Sequence, residues 1–141
     1  SIILPTGLYG DPVLPSHLNH NPFIWLKRVI EGGNPRHEKI PNDSASMIHL
    51  RDLAKIFLAV YENPNASGRY FGVYKSLHWY DIYNECKKLI PNMNMPITFS
   101  DKPVEPTGFD FTRRDSLKVH IRDFSTTLKE TINWLKTKPF E

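Results

Sequence analysis

"MIHLRDLAKIFLAVYENPNASGRYFG", residues 47–72, reads as strand, helix, break and strand in a single run. Ser46 to His49 is short and apolar enough for a strand. Behind it Leu53, Ile56, Phe57, Val60 and Tyr61 fall at i, i+3, i+4, i+7 and i+8, the spacing of one helix face, which predicts a buried stripe. Asp52 stands at the start of that helix and reads as its N-terminal cap. "ENPNASG" cannot continue a helix, and the β-rich run Arg69 to Tyr74 follows it as a strand.

The same alternation extends in both directions. Ile2 to Leu4 is a continuously apolar strand of the kind buried on both faces of a parallel sheet, closed by Pro5 and Thr6. Residues 7–21 carry glycines and prolines and read as a loop. Asn21-Pro22 then supplies a cap and a first-turn proline for a helix to about Ile30, with Phe23, Leu26 and Ile30 inward, ended by Gly32-Gly33. Downstream come a helix from about Trp79 to Ile90, a strand Ile97 to Ser100 and a helix near Ser125 to Lys136. Residues 101–123 have no sustained period and read mostly as loop, with a turn at Gly108. Strands alternating with helices make the class α/β.

Composition narrows the function. The 141 residues are 40% apolar, ordinary for one globular unit, and the net charge of +3 comes from basic residues spread along the chain. Nucleic acid is therefore not an expected partner. The longest apolar run, Ile56 to Tyr61, is far below the roughly 20 residues of a membrane span, so no membrane association is expected. The single cysteine, Cys86, fits a reducing compartment and a cytoplasmic location. The chain opens on Ser1 and a strand, which reads as a C-terminal fragment whose sheet neighbours lie elsewhere.

Several residue patterns imitate catalytic motifs. Tyr83 and Lys87 have the Tyr-x-x-x-Lys spacing of carbonyl reductases, but Tyr83 shares a helix stripe with Ile82, Cys86 and Leu89, which makes it a core residue. Gly7 and Gly10 follow a strand as in half of a dinucleotide fingerprint, yet Asp11-Pro12 starts no helix to receive a pyrophosphate. His17 and His20 sit in a proline-rich loop without carboxylates, so no metal site is expected. Arg113-Arg114 could clamp an anion, but the plainer reading is a solvated pair. No catalytic residue is assigned.

"IILPTGLYGDP", the block 47–72 and "TLKETINWLK" together resemble, in family order, the C-terminal portion of extended short-chain dehydrogenases/reductases, in particular the dihydroflavonol reductase and cinnamoyl-CoA reductase group. The resemblance implies a C-terminal substrate-binding portion, residues 1–141, of a Rossmann-type fold that begins at a late sheet strand and lacks the N-terminal cofactor-binding half. It implies NADP, or NAD, as cofactor and a small-molecule ketone, aldehyde or thioester as substrate. Pro5, Thr6, Gly7 and Leu8 become cofactor contacts, and Asn21, Ile24 and Ser46 substrate contacts. The family's glycine-rich loop, catalytic serine and Tyr-x-x-x-Lys pair all precede its counterpart of Ile2 to Leu4, so this chain alone is expected to be inactive without its own N-terminal half. Gly7-Leu8-Tyr9 and Asp11-Pro12 depart from the flavonoid enzymes. A nucleotide-sugar epimerase or dehydratase portion, with Arg113-Arg114 against a diphosphate, and a non-catalytic binding module derived from this fold are the rival readings.

Overall fold

A computed structural model describes all of residues 1–141. Strands β1 (Ile2–Pro5) and β2 (Gly7–Tyr9) are separated only by Thr6, yet they belong to different sheets. α1 (Phe23–Ile30) leads to β3 (Ser44–His49), which runs directly into α2 (Leu50–Glu62). β4 (Arg69–Gly72), β5 (Lys75–His78), α3 (Trp79–Leu89), the short α4 (Thr112–Ser116) and α5 (Phe124–Lys136) complete the chain. β1 pairs with β4 in parallel, while β2 and β5 flank β3, parallel and antiparallel respectively.

The main core lies where α1, α3 and α5 meet the β2-β3-β5 sheet, around Trp25, Leu26, Tyr83, Cys86, Leu128 and Ile132. A second, smaller core joins Ile48, Leu53 and Ile56 to Ile3, Leu8, Leu117, Val119 and Ile121. Helix ends follow local chemistry. His49 and His78 cap α2 and α3 by accepting the amide hydrogens of Arg51 and Tyr80 on Nδ1, and Asp123 caps α5 by accepting from Thr126 N.

Several expectations need correction. Residues 7–9 are a strand, because Gly7 lets the backbone approach β3: a Cβ there would stand 3.1 Å from Ser46 O. Lys75–His78 is a strand whose buried side chains are the polar Ser76 and His78, so hydrophobic alternation gives no signal. The predicted strand at Ile97 to Ser100 reduces to a single bridge between Lys39 and Ile97. Pro41 and Pro96 lack the amide hydrogens that would lengthen it. Asn21 makes no cap hydrogen bond, and Pro22 holds the N-cap position of α1. Ile30 is only partly buried, and Trp25 and Val29 share the inward face with Phe23 and Leu26. Gly108 lies in irregular backbone with no turn.

The stripe of α2 is also narrower than its spacing predicts. Leu53 and Ile56 are buried, but Phe57 is 51% and Tyr61 86% exposed, because nothing in the chain packs on that side of the helix. Ile2 and Leu4 of β1 are likewise exposed: β4 is the only partner strand, and α2 covers only the Ile3 face. Leu53→Ala is therefore expected to destabilise the chain by about 2–5 kcal/mol and Phe57→Ala by about 0.5 kcal/mol or less. Denaturant titration of both variants checks this, and equal losses would contradict the packing.

Tyr83 is fully buried, and its hydroxyl bonds His37 Nδ1 at 2.8 Å and accepts from His37 N at 3.2 Å. Burial pushes its hydroxyl up to about 12, opposite to the lowered value a proton donor to a carbonyl needs. Lys87 turns away and donates to Met93 O at 3.1 Å. The pair is structural. In thermal or chemical denaturation Tyr83→Phe is expected to cost about 0.5–1.5 kcal/mol, the scale of one hydrogen bond; a complete loss of folding would contradict this assignment.

Candidate functional site

The step from β1 to β2 opens a cleft of about 410 Å³. One wall comes from the sheet and the start of α2: Thr6, Gly7, Leu8 and Leu50. The other is the loop 10–22 with the first residue of α1: Pro12, Val13, His17, His20, Asn21 and Phe23. Thr6 Oγ1 is shielded from solvent and has no hydrogen-bond partner. A buried hydroxyl left this way costs free energy unless something pairs with it.

The loop wall is anchored at its base. Gly10 has φ +121°, and its N–H donates to Thr131 Oγ1 at 2.8 Å. A Cβ on Gly10 would stand 2.8 Å from the Cε1 of the His49 ring, so only glycine fits the turn. Asp11 then takes a two-point clasp from Arg51 at the start of α2, with Nε donating to Oδ1 at 2.9 Å and Nη2 to Oδ2. The Arg51 hydrogen bond holds the Asp11 carboxyl below its ordinary range, so the clasp persists at neutral pH.

Beneath the clasp His49 is buried, with Nδ1 accepting Arg51 N at 3.1 Å and Nε2 lying 2.8 Å from Glu130 Oε2. The carboxylate oxygen sits off the ring N–H axis, so the close contact is not an aligned hydrogen bond. Asp52 is fully buried as well. It is not the helix cap: its Oδ2 accepts Arg122 N at 2.9 Å and its Oδ1 faces Arg122 Nη1 at 3.5 Å, pinning the segment before α5 to α2.

Burial and the nearby Arg122 push His49 below the ordinary histidine value, against the opposing pull of Glu130 and Asp52. The native imidazole is therefore neutral, whereas the unfolded chain takes up a proton in the ordinary histidine range. Its stabilising share is present above that range and is lost as pH falls through it towards the depressed folded value. Between about pH 8 and about pH 5.5 the chain is expected to lose stability, with a shallower slope in His49→Asn, which keeps a capping acceptor. Denaturation midpoints across that window check this; identical slopes would contradict it.

Thr6, Gly7, Leu8 and Asn21 thus come together at the cleft. Pro5 ends β1 outside the lining residues, and Ile24 is 44% exposed on α1, also outside them. Ser46 lies in β3 with its hydroxyl 2.5 Å from Ser76 Oγ and its carbonyl under Gly7, so it supports the wall without lining it. Sequence reasoning missed Pro12, Val13, Phe23 and Leu50, and weighed His17 and His20 only as metal ligands. No group of three or more His, Cys, Asp or Glu side chains is arranged so that it could hold a metal ion.

Arg114 is half-buried and Arg113 exposed, and each is committed to backbone carbonyls. Arg114 Nη1 donates to Val73 O at 2.6 Å and to Tyr74 O at 2.8 Å, and its guanidinium lies 3.6 Å from the centre of the Phe111 ring. Arg113 Nη1 donates to Ser67 O at 2.6 Å. Together they tie α4 to the two ends of β4.

No family model matches the sequence. A cinnamoyl-CoA reductase of Petunia hybrida is 30% identical over 140 residues, covering 97% of this chain and 41% of that protein. The chain is homologous to the cinnamoyl-CoA reductases. Another such homologue, the cinnamoyl-CoA reductase CAD2 of Medicago truncatula, is 29% identical over 140 residues. The chain spans about two fifths of the length of these homologues, 41% in both cases. Among solved structures, yeast methylglyoxal/isovaleraldehyde reductase Gre2, complexed with NADPH, superposes with a TM-score of 0.71 at 15% identity, over 96% of this chain and 46% of that one. A UDP-glucuronic acid 4-epimerase of Bacillus cereus, in complex with NAD, gives 0.74 at 15% identity, over 97% and 45%. The chain therefore has the mixed α/β fold of part of a Rossmann-type extended short-chain dehydrogenase/reductase. None of its helices is long and apolar enough to cross a membrane.

Proposed function

We propose that residues 1–141 are the C-terminal, substrate-binding portion of a cytoplasmic NAD(P)-dependent oxidoreductase that reduces a ketone, aldehyde or thioester carbonyl. The observation that carries this reading is the cleft at the β1–β2 step, with the unpartnered Thr6 hydroxyl beside uncharged walls. Similarity to cinnamoyl-CoA reductases along nearly the whole chain supports it.

The residues present fit the end of a nicotinamide cofactor. The Thr6 hydroxyl lacks a partner that a ring carboxamide would provide, and Gly7 presents backbone without a side chain. Pro5, Thr6, Gly7 and Leu8 would hold that end, and Asn21, Ile24 and Ser46 would face or support the substrate. When bound, the cofactor supplies hydride to the carbonyl carbon. By likeness to the reductases, the carbonyl oxygen takes its proton from outside this chain, and neither Tyr83 nor any carboxylate of the chain lines the cleft. What the chain contributes is orientation and exclusion of water. No helix begins at Gly7 or Gly10, so the pyrophosphate falls to the protein's own N-terminal half, its required partner. NADP is preferred to NAD by likeness to the reductases, including the NADPH complex of Gre2.

The nucleotide-sugar reading has no support in the cleft, which no lysine or arginine lines, and Arg114 is committed to backbone carbonyls. A thermal shift assay of the complete protein tests the choice. NADPH at about a hundred times its dissociation constant is expected to stabilise by about 2.7 kcal/mol and uridine diphosphate not at all. Stabilisation by uridine diphosphate alone would overturn the proposal.

A further inference from the structure

The loop wall of the cleft carries two histidine side chains that the reductase reading does not use, beside Asn21, which it sets against the substrate. His17 Nδ1 accepts Leu14 N at 3.4 Å, which leaves the ring proton on Nε2, and no protein group takes it. The side chains of His20 and Asn21 likewise have no hydrogen bond within the chain. All of these residues line the cleft, and no aspartate, glutamate, lysine or arginine does. The nearest carboxylate of the loop, Asp11, is held by Arg51. Around them the lining is apolar, through Val13, Phe23 and Leu50.

Resting on the carbonyl-reductase reading, we infer that His17, His20 and Asn21 bind a carboxylate at the end of the substrate remote from its reacting carbonyl. A wall rich in N–H donors and free of carboxylates suits a group that only accepts hydrogen bonds. A phosphate would call for the arginine or lysine that the cleft lacks. The substrate class is then an oxo acid with an apolar body: the body packs on Val13, Phe23 and Leu50, and the carboxylate reaches the histidines. Loop 10–22 sets specificity because it is held by Gly10 and the Asp11–Arg51 clasp at one end and by α1 at the other.

The test uses the complete protein with NADPH and the probes 4-carboxybenzaldehyde and 4-methylbenzaldehyde, in wild type, His20→Phe and the double variant His17→Phe/His20→Phe. Each variant is compared with wild type on the same aldehyde, which cancels intrinsic reactivity. The double variant is expected to lose about 10- to 100-fold in kcat/KM on the carboxylated aldehyde, the scale of hydrogen bonds to a charged group, and about threefold or less on the methyl one. His20→Phe, at an exposed position, should show the same selectivity to a smaller degree. Equal losses on both aldehydes, or none on either, would overturn the inference. If the wild type reduces neither aldehyde, the benzaldehyde body is not turned over, and ligand-observed magnetic resonance with benzoate and benzamide decides the site. Preference for benzoate that disappears in the double variant sustains the carboxylate site; no preference overturns it.

Discussion

Gly10→Ala is expected to destabilise the chain by about 3–5 kcal/mol, read as the shift of the urea midpoint. Two costs add. The backbone at φ +121° is one that residues with a Cβ rarely adopt, and the new methyl would press on His49 Cε1 at 2.8 Å and Leu50 Cγ at 3.0 Å, inside a turn whose N–H is already bound to Thr131. Gly32 is the control. It also has positive φ, +88°, but nothing lies within 4 Å of its Cβ position, so Gly32→Ala should cost only the backbone share, about 1–2 kcal/mol. Equal effects at the two sites would mean that the Gly10 turn does not press on His49.

Thr6→Trp, made in the complete protein, is expected to lower kcat/KM for the carbonyl substrate about 100-fold and to raise the KM for NADPH with it. The indole would fill the space between the β1–β2 step and the loop wall, where both ligands are proposed to meet. Steady-state kinetics with each ligand varied in turn gives the result. Unchanged Michaelis constants for both would remove the Thr6 to Leu8 stretch from the site.

The helices were the most legible part of this chain, since α2, α3 and α5 have apolar spacing and the first two have clear stops at Asn63 and Pro91. Spacing reports which side chains could be buried, not whether anything covers them. That is why Phe57 and Tyr61 were expected inside and lie outside. β5 escaped notice because its inward side chains are Ser76 and His78, and β2 because a glycine at a close backbone approach looks the same as a glycine in a loop. Asp52 and Arg114 were misjudged for a common reason: their partners, Arg122 and the carbonyls of Val73 and Tyr74, are distant in sequence, and no local pattern announces them. The cleft was reachable only in part. Thr6, Gly7, Leu8 and Asn21 came from the family resemblance, while His17 and His20 were weighed only as metal ligands.

The most direct measurement of the central claim is carbonyl-dependent oxidation of NADPH by the complete protein that contains this chain, followed by absorbance and by identification of the product. Each NADPH and proton consumed should yield one NADP and one alcohol from an aldehyde or ketone, or one aldehyde and one thiol from a thioester. The 141-residue chain by itself should be inactive under the same conditions. Failure of the folded complete protein to oxidise NADPH or NADH with any aldehyde, ketone or thioester, or undiminished oxidation by the isolated chain, would contradict the account.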